Sequence, residues 1–209
     1  MRTLIQGILA VAIIILAYFL FESIMKPIRF NREVKLRKDA TVSRLTDIRT
    51  AEVAYKSKYG IYTGSFDTLI DFVKTDSLPL VRAIGSISDS LYDLGVTEKQ
   101  AIEMGIIIRD TSYTSVLDSI FPKNYYVDSL RYVPFCDTTQ FVLGSAKLVT
   151  ASKVKVEVFE AYVLNDILLH GLNRQLIINY NALKEKTVGF KGLKVGSLET
   201  STNNTGNWE

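Results

Sequence analysis

The sequence predicts an α+β fold in which one long N-terminal helix, first transmembrane and then amphipathic, packs on an antiparallel β-sheet. Three observations carry this. Leu4 to Phe21 is apolar apart from Gln6 and Gly7 and holds no charge. Apolar residues then recur at spacings of three and four as far as Tyr59. Beyond residue 105 the period changes to two. The division read from these patterns is an anchor at 1–25, an amphipathic continuation at 26–60, a helical and loop region at 61–105, a β-rich domain at 106–198 and a polar tail at 199–209.

The apolar run covers roughly 27 Å as a helix, close to the hydrocarbon thickness of a bilayer. Arg2 precedes it, and Glu22 and Lys26 close it. A cleavable signal peptide would have a shorter apolar region and small residues before the cut; here Tyr18, Phe19, Leu20 and Phe21 are bulky. A soluble core helix rarely carries so long an uncharged run at the start of a chain. The reading is a retained single-pass anchor. Within it Leu4, Ile5, Gln6, Gly7, Ala10, Ala17 and Phe21 are the candidate membrane residues, and the small ones among them are the best helix-contact positions.

Lys26, Arg29, Arg32, Lys35, Arg37 and Lys38 follow as a basic collar suited to headgroups or a docking partner. Pro27 is expected to kink the helix without ending it, because the helical pattern resumes at once. Val42, Leu45, Ile48, Ala51, Tyr55 and Tyr59 draw the buried stripe of the second half. Gly60 then suits the left-handed position that ends a helix. The whole would be on the order of 85 Å long.

Ser65 is a candidate cap for a second helix burying Phe66, Leu69, Ile70 and Val73. Thr75 to Val96, with Pro79, Gly85 and Gly95, reads as loop and short turns, and Thr97-Glu98-Lys99-Gln100 as a capping box for a helix ending at Gly105. Strands are expected at Ile106–Asp110, Tyr113–Leu117, Ser129–Phe135, Gln140–Leu148, Lys153–Leu164, Leu176–Tyr180 and Leu193–Leu198, with turns such as Thr150-Ala151-Ser152 between them and a short helix over Asp166–Asn173.

Composition narrows the chemistry. The chain has 25 basic and 22 acidic residues, so its net charge of +3 argues for no nucleic-acid partner. Cys136 is the single cysteine, which excludes an internal disulfide and a Cys-based metal site. His170 is the single histidine and is read as a helix-end residue. A nucleophilic cysteine needs a base and a lowered pKa, and only one imidazole exists to serve. Arg109-Asp110-Thr111 reads as an ion pair with a turn, and neither G-x-G-x-x-G nor G-x-x-x-x-G-K-S/T occurs. No cofactor, small-molecule substrate or enzyme activity is expected.

Both ends of the chain resemble a known family. Thr3-Leu4-Ile5-Gln6, leading into Gly-Ile-Leu-Ala-Val-Ala-Ile-Ile-Ile-Leu with a proline some twenty residues on, is similar to the N-terminus of type IV pilins and type II secretion pseudopilins. Ala51-Glu52-Val53-Ala54-Tyr55-Lys56 through Thr63 resembles the end of the pseudopilin long helix, and Phe66-Asp67-Thr68-Leu69 the helix after it. Val195-Gly196-Ser197-Leu198 and Thr205-Gly206-Asn207-Trp208 look like the last strand and closing loop. Two positions depart from that pattern. Only Met1 and Arg2 stand where the family has a basic leader ending in Gly, and Gln6 replaces the glutamate that pairs with a neighbouring subunit's amine.

The resemblance implies a pilin-like fold with an enlarged middle region, Trp208 docked back on the domain, and self-association or assembly with other envelope-complex subunits. It further implies a bacterial inner-membrane location with the domain in the periplasm, although the basic collar taken alone would keep that side cytoplasmic. The calcium site of major pseudopilins lies in the closing loop. Here that loop offers Glu199, Asn203 and Asn204 and no aspartate, so no calcium is expected. Two alternatives to a structural subunit remain in view: a membrane-anchored periplasmic binding module, and a membrane-anchored enzyme.

Overall fold

The computed structural model describes residues 2–93, 95–150 and 153–209. The chain is α+β. Helix α1 runs unbroken over Arg2–Tyr59 with Pro27 inside it. Gly60 ends it in the left-handed conformation, φ 77°, and its N–H donates to the Lys56 carbonyl at 2.8 Å. Thr41 and Thr46 turn their hydroxyls onto the carbonyls of Arg37 and Val42, at 2.7 and 2.8 Å, so neither competes with the helix. The chain divides into two compact units, Met1–Arg49 with Leu130–Glu209, and Thr50–Ser129.

In the first unit β3 (Val142–Val149), β4 (Lys155–Leu164) and β5 (Gly192–Gly196) form an antiparallel sheet in the order β3-β4-β5. Its registers run Val142↔Tyr162 to Val149↔Lys155 and Glu160↔Gly196 to Leu164↔Gly192. The clean alternation at the start of β4 gives way to Val158, Phe159, Ala161 and Val163, all buried. Gly192 sits where any Cβ would strike the Val163 carbonyl, so the strand approach there requires glycine. From α1 this unit buries Phe30, Val34, Thr41, Leu45 and Ile48. Phe30 meets Tyr180 edge-on, with ring centroids 6.3 Å apart.

Helices α6 (Asn165–Leu168) and α7 (Arg174–Val188) join β4 to β5. They are tied by a buried amide pair: Asn165 Nδ2 donates to Asn181 Oδ1 at 2.9 Å, and Asn181 Nδ2 donates to Asp166 at 3.3 Å. Here the expected strand at Leu176–Tyr180 is overturned, since those residues lie within α7. The Asn173 side chain accepts from the Leu176 N–H at 3.2 Å to start the helix, and Gly189, φ 71°, ends it. The expected strand at Ser129–Phe135 is also absent. A 3₁₀ turn spans Val127–Arg131, one bridge joins Tyr132 to Gln140, and the left-handed Phe135 and Asp137 stop any extension.

The second unit holds α2 (Phe66–Thr75), with Phe66, Leu69, Ile70, Phe72 and Val73 buried. Ser65 stands at its N-cap but makes no side-chain cap bond. β1 (Ser77–Ile84) corrects the loop expected there: it pairs with β2 (Ile108–Ser115) as a two-stranded antiparallel ribbon from Ser77↔Ser115 to Ile84↔Ile108. Pro79 sits within β1, tolerable because among the described residues β1 pairs with β2 on one side only. The two short strands expected at 106–117 are therefore one strand followed by α5 (Val116–Ile120). α3 (Asp89–Asp93) and α4 (Glu98–Glu103) lie between, α4 opened by the Thr97–Gln100 capping box. The side chains of Arg109, Asp110 and Thr111, and the turn residues Ala151 and Ser152, lie outside the described residues.

Candidate functional site

By length and composition, among the described residues one helix, Ile5–Tyr59, could cross a membrane, and none of its apolar window is buried. Ile5, Ile8, Ile14, Phe19 and Phe21 are all more than half exposed, at 61, 63, 69, 63 and 58%. Gln6, Gly7, Ala10 and Ala17 are exposed with them; the side chain of Leu4 lies outside the described residues. A Cβ added at Gly7 would find no atom of another described segment within 4 Å. Among the described residues nothing covers this surface, and lipid or another helix is the medium that suits it.

The collar divides. Lys26, Arg29, Arg32 and Lys35 are exposed, while Arg37 and Lys38 are half-buried. Arg37 is a correction to the expected headgroup role. Its Nη1 donates to the carbonyls of Leu168 and His170, both at 2.9 Å, and its guanidinium lies 6.0 Å from the Phe135 ring centroid. A cation on the last carbonyls of a short helix satisfies acceptors that the helix cannot. Arg37 therefore belongs to the fold, and the collar proper is Lys26 to Lys35.

Along the stripe Leu45, Ile48 and Ala51 are fully buried, Val42 and Tyr55 half-buried, and Tyr59 is 50% exposed. Tyr59 is thus not core. It lies against Tyr55 with ring centroids 4.7 Å apart and the planes tilted by 39°, meets Phe72 at 5.9 Å, and donates its hydroxyl to Asp76 at 2.5 Å. Lys58 pairs with the same carboxylate, and these two partners hold the Asp76 carboxyl down at a pKa of about 2.

The stripe also contains a residue that hydrophobic pattern reading passes over. Glu52 has no solvent exposure. Its Oε2 accepts the Thr63 N–H at 3.0 Å, and its Oε1 has no partner among the described residues. Burial pushes this carboxyl up to about 8, against the opposing pull of the Thr63 bond. The signal was its phase: residue 52 falls one turn from Ile48 and Tyr55, on the same face.

The tail is docked. Val195 bridges to Gly206, the Gly196 N–H donates to Thr205 O at 3.1 Å, and the Asn207 N–H donates to Lys194 O at 3.0 Å. Asn207 Oδ1 accepts from the Lys194 N–H at 3.1 Å, and Arg49 holds Glu209 at 2.6 Å. Trp208 is half-buried, its ring lying on Gly206 where any side chain would collide. Asn203 and Asn204 take left-handed turn positions, φ 51° and 60°, and the Asn204 carbonyl accepts from Arg49 at 3.3 Å. Among the described residues no three His, Cys, Asp or Glu side chains stand together as a metal set.

Cys136 and His170 line one cleft of about 500 Å³ together with Asp137 and Asp166. The thiol donates to the Ile167 carbonyl at 3.4 Å. Burial raises its pKa, the Arg37 charge opposing and Asp137 assisting. A thiol so placed is kept protonated, the opposite of what a nucleophile needs. Comparison with protein-family models, with curated proteins and with solved structures finds no match to this chain.

Proposed function

We propose that this chain is a membrane-anchored structural subunit of a bacterial envelope machine, pilin-like or pseudopilin-like in kind. The observation that carries the reading is α1: one helix whose apolar half is exposed at every described side chain and whose later half enters a folded core without a break. A single rigid element of this kind transmits position from a bilayer to a domain, which suits an assembly part better than a diffusing catalyst. The tail pairing with β5 and the half-buried Trp208 support the resemblance at the other end. In this reading the anchor sits in the inner membrane, the domain lies in the periplasm, and Gly7, Ala10 and Ala17 face neighbouring helices. Because Gln6 is an amide, self-assembly would use packing in place of a glutamate–amine pair.

Full-length protein purified in detergent should run as an ordered multimer, and a cysteine placed at exposed Ser201 should react with an impermeant reagent on intact spheroplasts. A monomer under all conditions, or labelling only after lysis, overturns the corresponding half of the proposal.

A second reading, an anchored binding module, draws on the β1–β2 ribbon. Leu80, Ile84, Ile108 and Tyr113 are 60, 50, 59 and 72% exposed there, beside a cleft of about 670 Å³. The monomer outcome favours it.

A further inference from the structure

Where α1 leaves the apolar run, Glu22, Lys26, Arg29 and Glu33 follow at spacings of four, three and four. They form one charged stripe along the helix, a turn apart. Two clefts that share Lys26 and Leu176 open along this stripe. The first, about 460 Å³, is lined by Phe19, Glu22, Lys26 and Leu176. The second, about 270 Å³, is lined by Lys26, Arg29, Phe30, Glu33 and Leu172. Charge along the clefts sums to zero but is ordered, with two cations between two carboxylates. Glu22 approaches Arg29 only to 3.8 Å, and among the described residues Lys26 and Glu33 have no ion-pair or hydrogen-bond partner.

We propose that the two clefts together hold the headgroup of a zwitterionic, primary-amine phospholipid. Its phosphodiester sits between Lys26 and Arg29. Its ammonium reaches a carboxylate about 6 Å along the helix on either side, Glu22 or Glu33. Glycerol and the upper acyl chain run over Leu176 and Phe19 toward the exposed apolar helix. A purely anionic headgroup would leave both carboxylates unbalanced, and a quaternary ammonium has no N–H to give them. This inference rests on the reading that α1 spans a bilayer, which fixes a lipid as the source of the headgroup.

The test uses delipidated full-length protein in mild detergent, offered equimolar phosphatidylethanolamine, phosphatidylcholine and phosphatidylglycerol of one acyl composition, with bound lipid read by native mass spectrometry. Phosphatidylethanolamine should be retained about fivefold over each of the others, the scale of one charge-assisted hydrogen bond. Glu22→Gln combined with Glu33→Gln should abolish that preference, and Lys26→Ala with Arg29→Ala should lower retention of all three lipids. Soluble phosphoethanolamine should add no adduct. Equal retention of the ethanolamine and choline lipids, a lead for phosphatidylglycerol, or an adduct with the soluble headgroup overturns the assignment, and the wild-type competition decides this without any variant. Carbonate washing of membranes separates the two readings. Release of the chain overturns the anchor and the lipid site together, whereas retention without lipid preference overturns the lipid site alone.

Discussion

Glu52 shows how much a single side chain can hold in this fold. Its carboxyl spans 11 residues of chain to the Thr63 N–H, tying the end of α1 to the segment that follows Gly60. Its folded pKa of about 8 lies above the ordinary 4.5, so the folded form keeps the proton over a range where the unfolded form has lost it. The unfolded state therefore binds fewer protons between those two values, and stability falls as pH rises. The contribution is complete below about pH 4.5 and is lost by about pH 8, at about 1.4 kcal/mol per pH unit. We expect the unfolding midpoint of the detergent-solubilised protein to drop from pH 5 to pH 8. Glu52→Gln should flatten that slope and leave the variant the more stable of the two at pH 8; a wild-type midpoint that is level across the range contradicts the buried carboxyl. Residue identity made this position visible, because its phase on α1 is that of Ile48 and Tyr55. Its protonation was not visible, since that depends on what covers it.

At the scale of the element, caps decided what composition obscured. Leu176-Ile177-Ile178-Asn179-Tyr180 is rich in the residue types that strands favour, yet the run is helical because Asn173 and Gly189 bracket it. The asparagine side chain satisfies an N–H that a strand would not need satisfied, and the glycine accepts a φ of 71° that other residues resist. Asn181 reinforces the choice, since it reaches the buried Asn165 amide from within α7. Gly189→Ala meets no atom within 4 Å, so its effect isolates backbone conformation. It should destabilise the unit by about 1 kcal/mol, lowering the midpoint by a few degrees, with secondary structure by circular dichroism unchanged. A neutral result would mean that α7 does not depend on its C-terminal cap. The long helix was legible for the opposite reason: its signal repeats over dozens of residues, and one proline could not outweigh it.

At the scale of the whole molecule, the α+β class was open to sequence reading and the division of the strands was not. Alternation shows that a segment has two faces, but it carries no information about which distant segment lies beside it. β1 escaped notice because Pro79 looked like a break, and its partner β2 begins 24 residues after β1 ends. The exposed apolar run of α1 was legible in the sequence, whereas the collar lost Arg37 to a pair of carbonyls 131 and 133 residues away. The docking of the closing residues on β5 has one more consequence. Outward amides of β5 and its continuation, such as Lys194 and Gly196, are bonded to Asn207 and Thr205. At the other margin no strand among the described residues pairs with the outer edge of β3. In deuterated solvent the two margins should therefore take up label at different rates, slowly at Lys194 and Gly196 and quickly at the outward amides of Val142–Val149. Deleting residues 205–209 should erase the difference by speeding the β5 side alone, so that a peptide-resolved uptake curve reads the closing residues as a cover over one side of the sheet.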